Sequence, residues 1–215
     1  MVAPILVATA LALATGTLVV LAWRGGTAAG PRLTIRFDAA CPAAALPILQ
    51  ARAEAIGLGE PVLTVEPEGI LLTATMPGLP DDATAVPALL ARPGRFSGES
   101  GGAVVVDNSH LTGAQIRLDE SGMPYTWVGL SPAGAEAVRA LAASDPSGDM
   151  AMAIDEDRPM PRPNDIALED DGLRIITEAT VTEARMRLAA DRAILLGTAP
   201  LPCPVVPRPA VPAGG

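Results

Sequence analysis

Residues 32–75, RLTIRFDAACPAAALPILQARAEAIGLGEPVLTVEPEGILLTAT, decide the fold. Their first run, Leu33-Thr34-Ile35-Arg36-Phe37, alternates apolar and polar side chains with the period of two that lays one face of a strand on a core. Pro42 then opens a helical stretch in which Leu46, Leu49, Ala53 and Ile56 share one side, and Gly57 supplies its stop. Pro47 falls early in that stretch, so the first turn is expected to be irregular. Val62 to Val65 and Ile70 to Thr75 read as two strands joined by the turn Glu66-Pro67-Glu68-Gly69.

Toward the C-terminus, Asp81 and Asp82 start a second helix, where carboxylates favour the positive end of the dipole, and Val86, Leu89 and Leu90 give it an apolar side. Arg95 to Ser97 can begin a fourth strand. The order strand, helix, strand, strand, helix, strand predicts a ferredoxin-like base over residues 32–98. The glycine-rich run Gly98 to Gly102 marks a composition break, and a second α+β unit is expected over 99–200. Within it Ala103 to Val106 is an apolar run, and Ile116 to Leu118 and Tyr125 to Leu130 flank the hairpin turn Asp119-Glu120-Ser121-Gly122. Ser131 caps a helix with Pro132 in its first position, Met150 to Ile154 and Leu173 to Ile176 read as strands, and Thr180 with Glu183 forms a capping box. Residues 201–215 are proline-rich and suit an extended edge strand and a loose tail. The fold class read from these signals is α+β, a base and a head behind an N-terminal membrane helix.

That helix is read from Val2 to Ala22, 21 residues without a charge, which at about 1.5 Å per residue span the roughly 30 Å hydrocarbon layer. Residues 1–24 are therefore expected to be a transmembrane anchor, with Trp23 and Arg24 at the interface, and 25–31 a linker; an alternative is a signal peptide cleaved near Thr27-Ala28-Ala29. Arg24, Arg32 and Arg36 follow the segment while only the terminal amine precedes it, so the positive-inside rule alone would keep the body in the cytoplasm.

Composition excludes several chemistries. The 215 residues carry a net charge of −9, and all 15 basic side chains are Arg, which removes Schiff-base lysines and Walker A loops and makes nucleic acid an improbable partner. One His (His110) and two Cys (Cys41, Cys203) assemble none of the common zinc sites, and no cofactor is expected.

Several short signatures resemble, in order, the first periplasmic domain of the SecD family, an accessory of bacterial protein export. Ile48 to Arg52 through Gly57-Leu58-Gly59-Glu60-Pro61 is similar to the family's first helix and the Glu-Pro after it. Ile70 to Gly78 resembles its strand ending in Leu-Pro-Gly, Leu111-Thr112-Gly113 the opening of its head, and Leu130 to Gly134 a strand-to-helix turn. Val181 to Ala184 resembles its last helix start, and Leu201-Pro202-Cys203-Pro204 its Leu-Pro-x-Pro. The resemblance implies a ferredoxin-like base and a mobile head outside the cytoplasm, on the inner membrane, with exported polypeptide or translocon and envelope proteins as partners. It also returns the segment holding Cys203 to the base, where that thiol can pair with Cys41. In this sequence Asp155-Glu156-Asp157-Arg158 and Pro161-Arg162-Pro163 replace the family's head hairpin signature. The family's later bundle of proton-coupling carboxylates has no counterpart, so no proton coupling is expected.

Other residues admit two readings. Gly98-Glu99-Ser100-Gly101-Gly102 matches a nucleophile pattern, and Ser100 would make a serine hydrolase if His110 served it; a linker and a solvated histidine explain the same residues. The runs Asp155-Glu156-Asp157 and Glu169-Asp170-Asp171 offer oxygen ligands to a hard cation or, more simply, form solvated hairpin tips. Met150, Met152 and Met160 furnish either a pliable surface for unfolded polypeptide or core filling in a chain with five aromatics. A non-enzymatic export accessory is the expected function, with an envelope interaction module of the same fold as the alternative.

Overall fold

The computed structural model describes residues 32–76, 82–176 and 182–208. The proposed membrane anchor, the linker, Asp81, Thr180 and the tail beyond Arg208 lie outside the described residues. Among those described, no helix is long and apolar enough to cross a membrane.

The elements follow in the order β1 (Arg32–Ala39), α1 (Pro42–Ile56), β2 (Gly59–Glu66), β3 (Gly69–Thr75), α2 (Asp82–Ala91), β4 (Phe96–Ser100), β5 (Ala103–Asp107) and, after a 3-10 turn at Asn108–His110, β6 (Leu111–Leu118). Next come β7 (Pro124–Leu130), α3 (Pro132–Ser144), β8 (Asp149–Ile154), β9 (Arg162–Pro163), α4 (Asn164–Ala167), β10 (Leu168–Glu169), β11 (Gly172–Ile176), α5 (Thr182–Gly197) and β12 (Val205–Pro207). The class is α+β, with three four-stranded sheets ordered β12-β1-β3-β2, β10-β11-β7-β6 and β5-β4-β8-β9, all of whose pairings are antiparallel.

The alternation in β1 acts as its pattern dictates. Ile35 and Phe37 are buried while Arg32, Thr34 and Arg36 are exposed, and opposite them Leu72 and Ile70 of β3 complete the inner face. On that face lie Ala45, Leu49 and Ala53 of α1 with Val86 and Leu90 of α2. Gly57 ends α1 in the left-handed region (φ 85°), its N–H directed at the Ala53 and Glu54 carbonyls, and Pro47 is accommodated inside the helix.

The fourth strand of this sheet is not the one read from Arg95. Phe96–Ser100 joins the sheet of β5 and β8, and Val205–Pro207 takes the place beside β1 through Phe37↔Pro207 and Ala39↔Val205. The cause is local. Gly94 adopts φ 75°, and the Asp155 carboxylate accepts the N–H groups of Gly94 and Arg95 at 3.1 and 2.8 Å, which turns the chain away and delivers Phe96 into a second core.

That core lies between the other two sheets and unites Phe96, Val106, Met150, Met152 and Ile154 with Val128, Leu173, Ile175 and residues of α3, α4 and α5. Ser131 caps α3 by accepting from the Gly134 N–H, with Pro132 in the first turn.

Trp127 projects from β7 over the paired glycines Gly129 and Gly172 and donates its indole N–H to the Glu169 carbonyl at 2.9 Å, while the Arg117 guanidinium stacks 4.0 Å from its ring centre. A Cβ on Gly172 would fall inside the indole, and one on Gly129 would meet it at 3.0 Å. Gly172→Ala is therefore expected to displace the ring and cost about 1–3 kcal/mol, the range for overpacking. With Trp23 replaced by Phe, a red-shifted Trp127 emission and an earlier denaturant midpoint check it; unchanged emission contradicts it.

Candidate functional site

Ser100 and His110 are not brought together. Ser100 pairs with Ala103 at the turn end of the β4–β5 hairpin, whereas Asp107, which leads into His110, lies opposite Ser97, about 10 Å along the strand. Ser100 Oγ is 3.5 Å from the Asn164 amide nitrogen. His110 belongs to a local cap in which its Nδ1 lies 2.9 Å from Asp107 Oδ1 and 3.4 Å from Ser109 Oγ. A catalytic triad needs serine and acid on opposite ring nitrogens, and here both meet the same one. The Ser109 hydroxyl and N–H hold the Asp107 carboxyl below the ordinary aspartate range, which is the chemistry of a cap.

The acidic runs are spent on structure. Asp155 holds Gly94, Arg95 and the Arg92 guanidinium, and Asp157 accepts from the buried Arg192 at 2.8 Å. Glu169 accepts from the Tyr125 hydroxyl, Asp170 pairs with Arg117 and Asp171 with Arg139. Among the described residues no three acidic, histidine or cysteine side chains converge as a metal would need. A small open cleft of about 160 Å³, lined in part by Asn108, Thr112, Leu196 and Thr198, is below the roughly 300–1,000 Å³ of small-molecule sites.

The methionines divide. Met150 and Met152 are wholly inside the second core, so they fill volume and offer no contact surface; the reading of them as a polypeptide surface is corrected, because alternate residues of the central strand β8 face that core. Met160, 53% exposed between two prolines, remains at the surface. Cys41, at the N-cap of α1, and Cys203, two residues before β12, are joined in a disulfide.

The surfaces left for a partner are strand edges. The end strands of the three sheets are β12 and β2, β10 and β6, β5 and β9. Only β2 and β6 run for eight residues; the others have five, three, two and two. Each long edge carries exposed apolar side chains, Val62 (55%) and Val65 on β2, Ile116 and Leu118 (58%) on β6. Each also has a register irregularity near its start, Gly59/Val62 and Leu111/Gly113, which leaves the later half as the regular stretch. The sequence marked these strands but not their edge positions, since pairing order depends on contacts between distant segments.

A carboxylate on α5 works against folding. Burial raises the Asp191 carboxyl above its ordinary range despite Arg92 and Arg187 nearby. Between the ordinary and the raised value the native state binds the extra proton, so stability falls as pH rises through that window. Asp191→Asn is expected to melt a few degrees higher than the parent at neutral pH and equally at pH below about 3.9, the ordinary aspartate value; equal melts at neutral pH contradict it.

The described residues define a class: an α+β domain with two hydrophobic cores, in which the outer edges of β2 and β6 pair with no described strand. Solved structures that share this fold include those of SecDF. A crystal structure of SecDF in a super-membrane-facing form superposes with a TM-score of 0.65 at 14% identity, covering 83% of this chain and 29% of that one. A structure of a membrane component, SecDF, that enhances protein export superposes at 0.58 and 17% identity, covering 84% of this chain and 99% of that one. This chain thus spans less than a third of the first and nearly all of the second, and at these identities the likeness is one of fold. No family model and no curated protein matches the sequence.

Proposed function

We propose that this chain is a singly anchored SecD-type protein whose body lies outside the cytoplasm and handles exported polypeptide, without proton coupling of its own and without enzymatic activity. The observation that carries the proposal is the fold match that covers 84% of this chain and 99% of a solved chain of a membrane component that enhances protein export. We read residues 32–95 with 201–208 as a ferredoxin-like base, its fourth position filled by the returning β12, and the residues between as the head. Both long open edges suit the task physically. An unpaired strand edge takes up an extended chain by main-chain hydrogen bonds, which need no particular sequence, and the exposed Val62, Val65, Ile116 and Leu118 accept whatever apolar side chains arrive.

The test is photocrosslinking in intact cells from a reactive amino acid placed at Val62 on β2 and at Leu118 on β6. Nascent exported chains or translocon subunits are expected from at least one position. Capture of other envelope proteins alone would replace the export role with that of an interaction module, and efficient incorporation with no capture would contradict polypeptide handling at these edges.

A further inference from the structure

One short segment is held on the first core by its two ends. β12 has three residues, pairs with no described strand on its outer side, and lies in residues 202–208, where three of the seven are prolines that cannot donate to a ladder. Val205 is the one buried side chain of that run. At the far end the Arg208 N–H donates to the Arg36 carbonyl at 2.7 Å and its guanidinium to Asp38 and Glu68, exposed ion pairs that salt screens and that add little. At the near end Cys203 is bonded to Cys41. Cys41 begins α1 and Cys203 precedes β12, both on the first core, so the bridge does not tie one core to the other.

We propose that the Cys41–Cys203 bridge is a redox-operated clasp: a dithiol reductant opens it in the folded protein and releases β12 from β1 while both cores persist. Cys41 is placed to leave. It is the N-cap of the 15-residue α1, whose first turn holds no acidic side chain, so the positive end of the helix dipole favours a thiolate there. Both cysteines are half-buried rather than enclosed, so a reductant can approach. A reductant thiolate attacks Cys203 Sγ, the bond to Cys41 breaks, and Cys41 departs as the thiolate, the better leaving group. The reductant's second thiol then attacks its own sulfur in the mixed disulfide and releases Cys203. In sum two electrons and two protons pass to the cysteines, and the dithiol closes to a disulfide. A three-residue strand and exposed ion pairs are then left to hold the segment, and so short a pairing is not stable on its own. What departs is one buried valine, while β1 keeps β3 beside it and Ile35 and Phe37 on the core. The outer edge of β1, eight residues long, then pairs with no described strand and can take up an extended chain. The clasp is intramolecular and stands whether or not the export role does.

The test is amide hydrogen exchange in the full chain, oxidised and after dithiothreitol without denaturant, with the freed thiols counted by maleimide trapping. Reduction is expected to go to completion in the folded protein. The amides of Arg36 and Asp38, which face β12 in this register, and those of Val205, Val206 and Arg208 are expected to exchange at least ten-fold faster, and those of β3 and β7 to change less than two-fold. Cys203→Ser, which cannot form the bridge, is expected to match the reduced parent. A bridge that yields to dithiothreitol only in denaturant, or unchanged protection of β1 and β12 in the reduced protein, would overturn the proposal. So would an equal loss of protection across β3 and β7, which would make the bridge a staple of the whole body rather than a clasp on one strand.

Discussion

Replacing Cys41 and Cys203 together by serine is expected to lower the stability of the body by up to about 5 kcal/mol, the chain-entropy value for a loop of this length. The bridge spans a sequence separation of 162, so it constrains almost the whole described chain in the unfolded state. Its local role adds to this. Cys203 stands just before β12, whose three residues are, among the described residues, the one strand beside β1 on that side, and so short a strand is held poorly by its ladder alone. At roughly 2–4 °C per kcal/mol for a chain of this size, the melting temperature should fall by about 10–20 °C. Thermal melts of the parent with and without reductant, beside the double variant, measure it. A fall below about 2 °C would mean that the closed loop restricts the unfolded chain far less than its length implies.

The second large effect is expected at Arg52. Its burial pushes the guanidinium pKa down to about 10, partly opposed by the Asp155 carboxylate, so the group remains charged at neutral pH. Arg52→Met retains much of the apolar stem but leaves the carbonyls of Leu90, Arg92 and Ala199 without the guanidinium donor, while the Pro93 carbonyl keeps the Leu201 N–H. Each buried acceptor left unmet costs about 1–3 kcal/mol. Some of these can reach water once the side chain is gone, so the expected loss is about 3–5 kcal/mol, the range for removing one member of a buried charged network. Denaturant titration checks it, and a loss under about 1 kcal/mol would show that these carbonyls are satisfied without the guanidinium.

Local chemistry was legible in the sequence. The period-two run at Leu33–Phe37, the Gly57 stop, the Asp119–Gly122 turn and the Ser131-Pro132 cap each depend on neighbours a few residues away, and each is found where it was read. Pairing between distant segments was legible only where the family resemblance returned the Cys203 segment to the base. Phe96 carries the same β signal whichever sheet it joins, and what sent it to the head was Asp155, about 60 residues later, turning back onto Gly94 and Arg95. Trp127 and Gly172 are likewise matched only through the register of β7 with β11. For the Arg52 network a signal did exist: Arg52 follows Leu49 by three residues and sits inside the apolar stripe of α1, where a charged residue needs partners. The edge strands could not be singled out, because an open edge is defined by which strands fail to pair with it.

The placement of the body is tested most directly by adding protease to spheroplasts of cells producing the full chain. The proposal requires rapid digestion of the two-lobed part in intact spheroplasts, with a cytoplasmic marker protein untouched. Protection until the membrane is lysed would put this fold on the cytosolic face and end its assignment to handling chains that have crossed.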